Sequence, residues 1–346
     1  MDELNELVLT LKGDVVATEL IRLREIHVAT FFGEGTVAAW AELIRTSGIS
    51  SVVVNDPLTP RQQRNLQEAL ATEVLDRTDV ILDIFAARAL SADGRIQVEK
   101  ARLEHLLPRL AGGWTHLERQ RGGLGLRGGA GETQIEVDRR LIRARIAKLS
   151  SRLKILERRR STQRLARTTA PLATVALVGY TNAGKSTLLN RLTRSDVLAD
   201  DLLFATLDPT SRLLYLASGQ KLILTDTVGF IQRLPTELVD AFSSTLEEVR
   251  SATMLAIVVD LSHPQCAHHL ETVLGTLDEM HCEQPAILVC SKVDKVDSAL
   301  REERIAVLSE QISGTPLCIS STSGEGFETL RDALQRLFDA AEVKSG

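Results

Sequence analysis

At 346 residues the chain has room for two or three separate cores. Its apolar content of 44% and charged content of 25% are those of a soluble globular protein, and no apolar run approaches the ~18 residues of a membrane span. The net charge of −5 conceals an asymmetry: residues 98–170 hold 18 Lys and Arg against 7 Asp and Glu, leaving 23 against 39 elsewhere, so an anionic partner is expected at the middle of the chain.

The first residues are acidic and lack the basic-then-apolar order of a signal peptide. Cys266, Cys282, Cys290 and Cys318 have no metal-type spacing and read as reduced thiols of a cytoplasmic protein. Residues 1–97 read as a small α/β domain. A polar helix over 2–11 leads to a strand around 15–23, and Gly33-Glu-Gly35 turns into a helix over 37–46. A strand over 49–54 precedes Thr59-Pro60-Arg61-Gln62, a capping box with proline at the first helical position, which predicts a helix over 60–71. A strand near 73–75 and a helix over 78–90 complete an alternation that implies a parallel sheet. His27, Asp76 and Asp83 stand isolated and are assigned no chemistry.

Residues 98–170 read as an antiparallel helical hairpin. Leu103, Leu106, Leu110, Trp114 and Leu117 recur at helical spacing, and Ile142, Ile146, Leu149, Leu153 and Leu156 keep a seven-residue repeat. Between them residues 122–131 are too rich in glycine to be helical and form the tip loop. The second helix, over 135–167, would run roughly 50 Å. Arg139, Arg140, Arg143 and Arg145 begin a run of basic residues relieved only by Asp138 and Glu157, a one-signed surface suited to RNA phosphates. The tip loop is either a hinge or a probe entering an RNA cavity with Arg121 and Arg127 as phosphate contacts.

From 171 to 346 the strands and helices alternate as in a doubly wound nucleotide-binding domain. Residues 175–178 form a buried strand. Gly179-Tyr180-Thr181-Asn182-Ala183-Gly184-Lys185-Ser186 then matches the phosphate loop G-x-x-x-x-G-K-[ST], and the helix opens through Thr187. Inward-facing amides and a helix N-terminus suit a polyphosphate, with Lys185 on the outer phosphates and Ser186 on Mg²⁺. Asp226-Thr227-Val228-Gly229 follows a strand 41 residues after Lys185. Its carboxylate is placed to hold Mg²⁺, and the Gly229 N–H can approach a γ-phosphate. Between them Phe204-Ala205-Thr206-Leu207-Asp208-Pro209-Thr210 offers a threonine, 206 or 210, to close over the metal. Ser291-Lys292-Val293-Asp294 supplies a carboxylate for the guanine N1 and N2 donors, and Ser320-Ser321-Thr322 is placed to meet the guanine carbonyl through a backbone N–H.

Taken in this order, the motifs resemble the translation-factor class of GTPases. Residues 76–88, 113–120 and 131–140 together with the three phosphate-side motifs are similar to the HflX family, over most of the chain. The resemblance selects Thr206 as the metal-closing threonine and places Lys185, Thr206 and Gly229 at the reacting phosphate. It implies a GTP- and GDP-binding, Mg²⁺-dependent GTPase that joins the large ribosomal subunit and its rRNA; separately from the resemblance, a monomer is expected. It also implies splitting of stalled ribosomes under stress, with the tip loop in the peptidyl-transferase region. Asn182 resembles the residue of GTPases that use K⁺ as an additional charge. Phe230 stands where many GTPases carry a water-orienting glutamine, so slow intrinsic turnover is expected.

Departures from the family pattern sharpen these expectations. Ser291 stands where Asn is usual, which predicts weaker guanine affinity with selectivity kept by Asp294. The tip lacks the usual proline, and Thr36 stands where Lys is usual in the first glycine turn. The chain starts after the family's usual first strand and ends without the further domain many members carry. Two other activities fit the same residues: a nucleotide-gated anti-association factor in which hydrolysis is incidental, and an ATP-driven RNA remodeller working through the N-terminal region.

Overall fold

A computed structural model describes residues 2–110, 134–167, 172–195, 202–233, 243–312 and 314–345. They divide into two compact units: residues 1–87 with 95–156, and residues 88–94 with 157–346.

In the first unit α1 (Asp2–Thr10), α2 (Glu34–Ser47), β1 (Ser51–Val54), α3 (Pro60–Leu70), β2 (Glu73–Asp76) and α4 (Arg77–Arg88) come in that order. β1 and β2 pair in parallel from Ser51 opposite Glu73 to Val54 opposite Asp76. Thr59 and Gln62 form the reciprocal capping box that starts α3. Residues 15–23, expected as a strand, carry no regular structure, and Val16 and Leu20 are exposed. Apolar alternation makes a strand only where a neighbour takes up its backbone groups, and among the described residues none does here. The core gathers Phe32, Val37, Ile44, Leu66 and Val74.

The next helices are α5 (Ala92–Arg109) and α6 (Gln134–Arg167), linked by the Arg145–Glu99 ion pair at 2.6 Å. On α6 the expected seam is the covered face, with Leu149 at 1% exposure, whereas Arg140, Arg143 and Arg145 are exposed. Arg139 is half-buried. The tip loop 122–131, with Arg121 and Arg127, lies outside the described residues. Asp76 is not isolated: its buried carboxylate pairs with Arg109 at 2.6 Å, beside Asp79, which meets His105 at 2.9 Å. Burial opposes the Asp79 charge, but His105 and Arg109 outweigh it and hold its carboxyl below the usual range.

The second unit is an α/β domain around one six-stranded sheet in the order β4-β5-β3-β6-β7-β8. The elements are β3 (Thr174–Gly179), α7 (Lys185–Thr193), β4 (Thr210–Tyr215), β5 (Lys221–Asp226), α8 (Ser243–Ser251), β6 (Met254–Asp260), α9 (Cys266–Glu279), β7 (Ala286–Ser291), α10 (Ser298–Ser309), β8 (Leu317–Cys318) and α11 (Phe327–Ser345). Every pairing is parallel except β4 with β5. A parallel sheet must be covered on both faces. One face buries Leu188 and Leu192 of α7 with Leu330 and Leu334 of α11; the other buries Val249 of α8 and Leu270 and Val273 of α9. The carboxyl ends of β3, β5, β6 and β7 consequently open together, where the order reverses, and this is where such folds place ligands.

Candidate functional site

The loop from Gly179 to Gly184 closes tightly because small residues allow close backbone approach. A Cβ on Gly179 would stand 2.2 Å from the Val258 carbonyl oxygen, and Gly184 takes φ 90° as it enters α7. The chain after β5 is stitched onto this loop: Thr181 N donates to Phe230 O at 2.8 Å and Phe230 N to Gly179 O at 3.0 Å. Gly229 lies so close that a Cβ there would meet Thr181 Cα at 2.6 Å. Any side chain at 229 would separate the two phosphate-side segments.

Together they make one cavity lined by Thr181, Asn182, Gly184, Lys185, Ser186, Thr187, Leu202, Phe204, Ala205, Thr206, Thr227, Gly229 and Lys292. Three oxygens converge where Ser186 and Thr206 line it, with Asp226 buried behind them. Asp226 Oδ2 accepts from Ser186 Oγ at 2.6 Å and Thr206 Oγ1 at 2.8 Å, and the two hydroxyls are themselves 2.8 Å apart. Asp226 is fully buried, and among the described residues its Oδ1 finds no hydrogen-bond partner. Burial pushes this carboxyl above its ordinary value, against the pull of Lys185 and of the Ser186 and Thr206 hydrogen bonds. An orphaned buried carboxylate oxygen beside two hydroxyls is the donor chemistry of a hard divalent cation. Thr210, by contrast, opens β4 opposite Asp226 in the ladder and does not line the cavity.

Lys185, at 6% exposure, bends onto its own loop and donates to Gly179 O at 3.1 Å and Tyr180 O at 2.8 Å. Burial lowers its ammonium to about 8, with Lys292 adding to the depression and Asp226 opposing it. Lys292 bridges from the other side, meeting Asn182 O at 2.9 Å and Asp260 at 2.8 Å. Ser291 lies behind the loop and donates to Ala183 O at 2.7 Å. A hydroxyl at 291 therefore still braces the phosphate loop.

Other predicted site residues sit apart from the cavity wall. Tyr180, Ala183, Val228 and Val293 are buried behind it. Asp294 is exposed in a short 3-10 turn (Val293–Lys295), and Thr322 is exposed as well. Ser321 is half-buried, and Ser320 is fully buried, its Oγ accepting from Ser323 N at 3.0 Å. The base-side loops touch one another through Val293 N and Ile319 O at 3.3 Å.

Three contacts escaped sequence reasoning. Phe230 is buried among residues of β6, α8 and α9, so its ring fills core and does not face the cavity. Tyr180 stacks on His269 with ring centroids 3.8 Å apart, and its hydroxyl accepts from Gln232 N at 3.0 Å. Asp208, two residues past Thr206, accepts from Ser91 N at 2.9 Å and from the Ser91 hydroxyl, which in turn accepts from Gly94 N at 2.8 Å in the first turn of α5. Each joins segments far apart in the chain, and only the glycine and aspartate spacing was local enough to read.

Comparison with known proteins agrees along the whole length. Residues 1–86 match the family described as GTP-binding GTPase N-terminal, 88–167 the GTP-binding GTPase middle region, and 174–292 the 50S ribosome-binding GTPase. GTPase HflX of Magnetococcus marinus is 51% identical over 345 residues, covering 99% of this chain and 79% of the relative. GTPase HflX of Escherichia coli is 46% identical over 309 residues, covering 89% and 72%. A GTP-binding protein of Sulfolobus solfataricus solved with GDP shares the fold at TM-score 0.51 and 24% identity, over 97% of this chain and 94% of that one. The chain therefore belongs to the HflX family and is a GTPase that binds and hydrolyses GTP.

Proposed function

We propose that the cavity at the carboxyl ends of β3 and β5 is the GTPase centre and that its nucleotide state governs association with the large ribosomal subunit. The observation that carries the first part is the convergence of Ser186 Oγ, Thr206 Oγ1 and Asp226 Oδ2 within 2.6 to 2.8 Å. These three residues would hold Mg²⁺, which when bound neutralises the β- and γ-phosphate oxygens. Lys185 leaves the Gly179 and Tyr180 carbonyls for the outer phosphates, and the loop amides from Thr181 to Ser186 cradle the remainder. The Gly229 N–H faces the γ-phosphate. With Phe230 in the core, no side chain at that position orients water, so the chain works by positioning and fixed charge, and turnover is slow until a partner orders the Thr206 loop. Asp294 reads the guanine N1 and N2 donors, and the 320–322 loop meets its carbonyl. K⁺ beside Asn182 adds charge, so hydrolysis runs faster in KCl than in NaCl.

Support for the ribosomal part comes from the exposed basic face of α6 at Arg140, Arg143 and Arg145 and from the 50S ribosome-binding description of the family matched at 174–292. A helix of 34 residues in which basic residues far outnumber the acids Glu136, Asp138 and Glu157 presents charge over about 50 Å, suited to phosphate contacts rather than base reading. The Thr206 loop is tied through Asp208 to Ser91, just before α5. The reading extends to splitting of stalled ribosomes. Its test is capture of the protein by purified large subunits with GDP, with a non-hydrolysable GTP analogue, and without nucleotide. Retention should be strongest with the triphosphate analogue and should weaken steeply with salt. Equal retention in all three would overturn the gating.

A further inference from the structure

Cys290 and Cys318 are direct partners across β7 and β8, with side chains on one face of the sheet. Cys290 is fully buried, whereas Cys318 is half-exposed on the two-residue edge strand. The Cys290 thiol and the Arg301 guanidinium of α10 both stand close enough to the Cys318 sulfur to act on its charge, and Arg301 pairs with Glu325 at 2.8 Å. Neighbouring strands lie about 4.8 Å apart, inside the ~4.4–6.8 Å Cα window of a disulfide. Both cysteines also stand immediately upstream of the base-side loops. Cys290 leads directly into Ser291-Lys292-Val293-Asp294, and Cys318 is two residues before Ser320.

We propose that Cys318 is a peroxide-sensitive thiol with Cys290 as its resolving partner, so that oxidation ties β7 to β8 directly beneath the two base-side loops. The neighbouring Cys290 thiol and the Arg301 guanidinium, working against burial, hold Cys318 below its ordinary thiol value, which favours the reactive thiolate. Burial pushes Cys266 and Cys282 the other way, which leaves them protonated and slow. Hydrogen peroxide supplies the oxidant. The Cys318 thiolate attacks one peroxide oxygen, the O–O bond breaks, and the departing hydroxide takes up a proton to leave as water. The Cys290 sulfur then attacks the resulting sulfenic sulfur, the S–O bond breaks, and the hydroxyl leaves with the Cys290 proton as a second water. Two thiols and one peroxide become one disulfide and two waters.

Drawing the sulfurs together shifts both base-side loops, which are already joined by Ile319 N to Cys290 O at 2.8 Å and Val293 N to Ile319 O at 3.3 Å. The effect on nucleotide rests on the assignment of these loops to the guanine. The full chain, exposed to a slight excess of hydrogen peroxide, should yield a Cys290–Cys318 cross-linked peptide on non-reducing digestion. Its affinity for fluorescent GDP should fall about tenfold, the equivalent of one lost hydrogen bond, and dithiothreitol should restore it. Cys318→Ser should bind GDP normally and ignore peroxide, while Cys282→Ser should respond as the native chain does. Oxidation of Cys282 or Cys266 ahead of Cys318, or sulfenic acid persisting without the cross-link, would overturn the proposal. So would a cross-link that leaves GDP affinity unchanged in a protein whose base preference does respond to Asp294→Asn. If Asp294→Asn changes nothing, the base assignment fails, and the cross-linked peptide still upholds the modification site.

Discussion

The two ends of the nucleotide site are built differently. At the phosphate end, Lys185, Asp226, Thr181 and Thr227 are buried and their neighbours interlocked by hydrogen bonds of 2.6 to 3.1 Å. At the base end, Asp294 and Thr322 stand in solvent, while Ser291, Val293 and Ser320 are buried. The difference teaches a division of labour. Under the proposed function, buried, preorganised groups at the phosphate end would act on charge that every nucleoside triphosphate carries, while exposed groups at the base end would act on the one feature that distinguishes guanine.

The largest break in that comparison is expected from Lys185→Ala. It removes the cation nearest the outer phosphates, and GTP hydrolysis should fall about a thousandfold in single-turnover assays. A second test uses pH. The Lys185 ammonium sits at about 8 in the free protein, and bound phosphates raise it. Binding therefore takes up a proton once the pH exceeds that value. Affinity for GDP, measured by titration, should be flat below pH 8 and drop by up to about tenfold per unit above it. If the phosphate end were open like the base end, affinity would stay flat to pH 10.

A smaller effect is expected behind the phosphate loop. Tyr180→Phe removes the hydroxyl that accepts from Gln232 N but keeps the stack on His269, so the hydrolysis rate should fall by roughly tenfold at most. His269 itself offers a signal in stability, with no expected change in turnover. Burial, with His263 and His268 nearby, lowers its imidazole from 6.5 to about 4. The unfolded chain binds that proton first, so its contribution to stability is complete above pH 6.5 and is lost as pH falls toward 4. His269→Phe should flatten the pH dependence of the melting temperature in this window by the equivalent of about 3 kcal/mol. An unchanged slope would place His269 in contact with solvent.

Legibility in the sequence divides along the same line. The phosphate loop, Asp226 and Gly229 are readable because glycine spacing and a strand end fix backbone geometry locally. Thr59 and Gln62 announce α3 for the same reason. The seam of α6 is readable because periodicity survives in any packing. Illegible are the contacts made only by the folded chain: the Tyr180–His269 stack, the Ser91–Asp208 hydrogen bonds, and the Asp76 and Arg109 pair. Residues 15–23 mislead because their apolar pattern suggests a strand, and among the described residues no neighbour pairs with them. Phe230 looks in the sequence like a missing catalytic group, and its burial accounts for the residue in another way, as core.

The central claim is that the phosphate end supplies the chemistry and Asp294 supplies the choice of base. Measuring kcat/KM of Asp294→Asn for GTP and for xanthosine triphosphate tests it most directly. If Asp294 chooses the base, GTP falls about tenfold or more while the xanthine nucleotide is hydrolysed with the native enzyme's kcat for GTP. Native kcat/KM for GTP in that variant would contradict it.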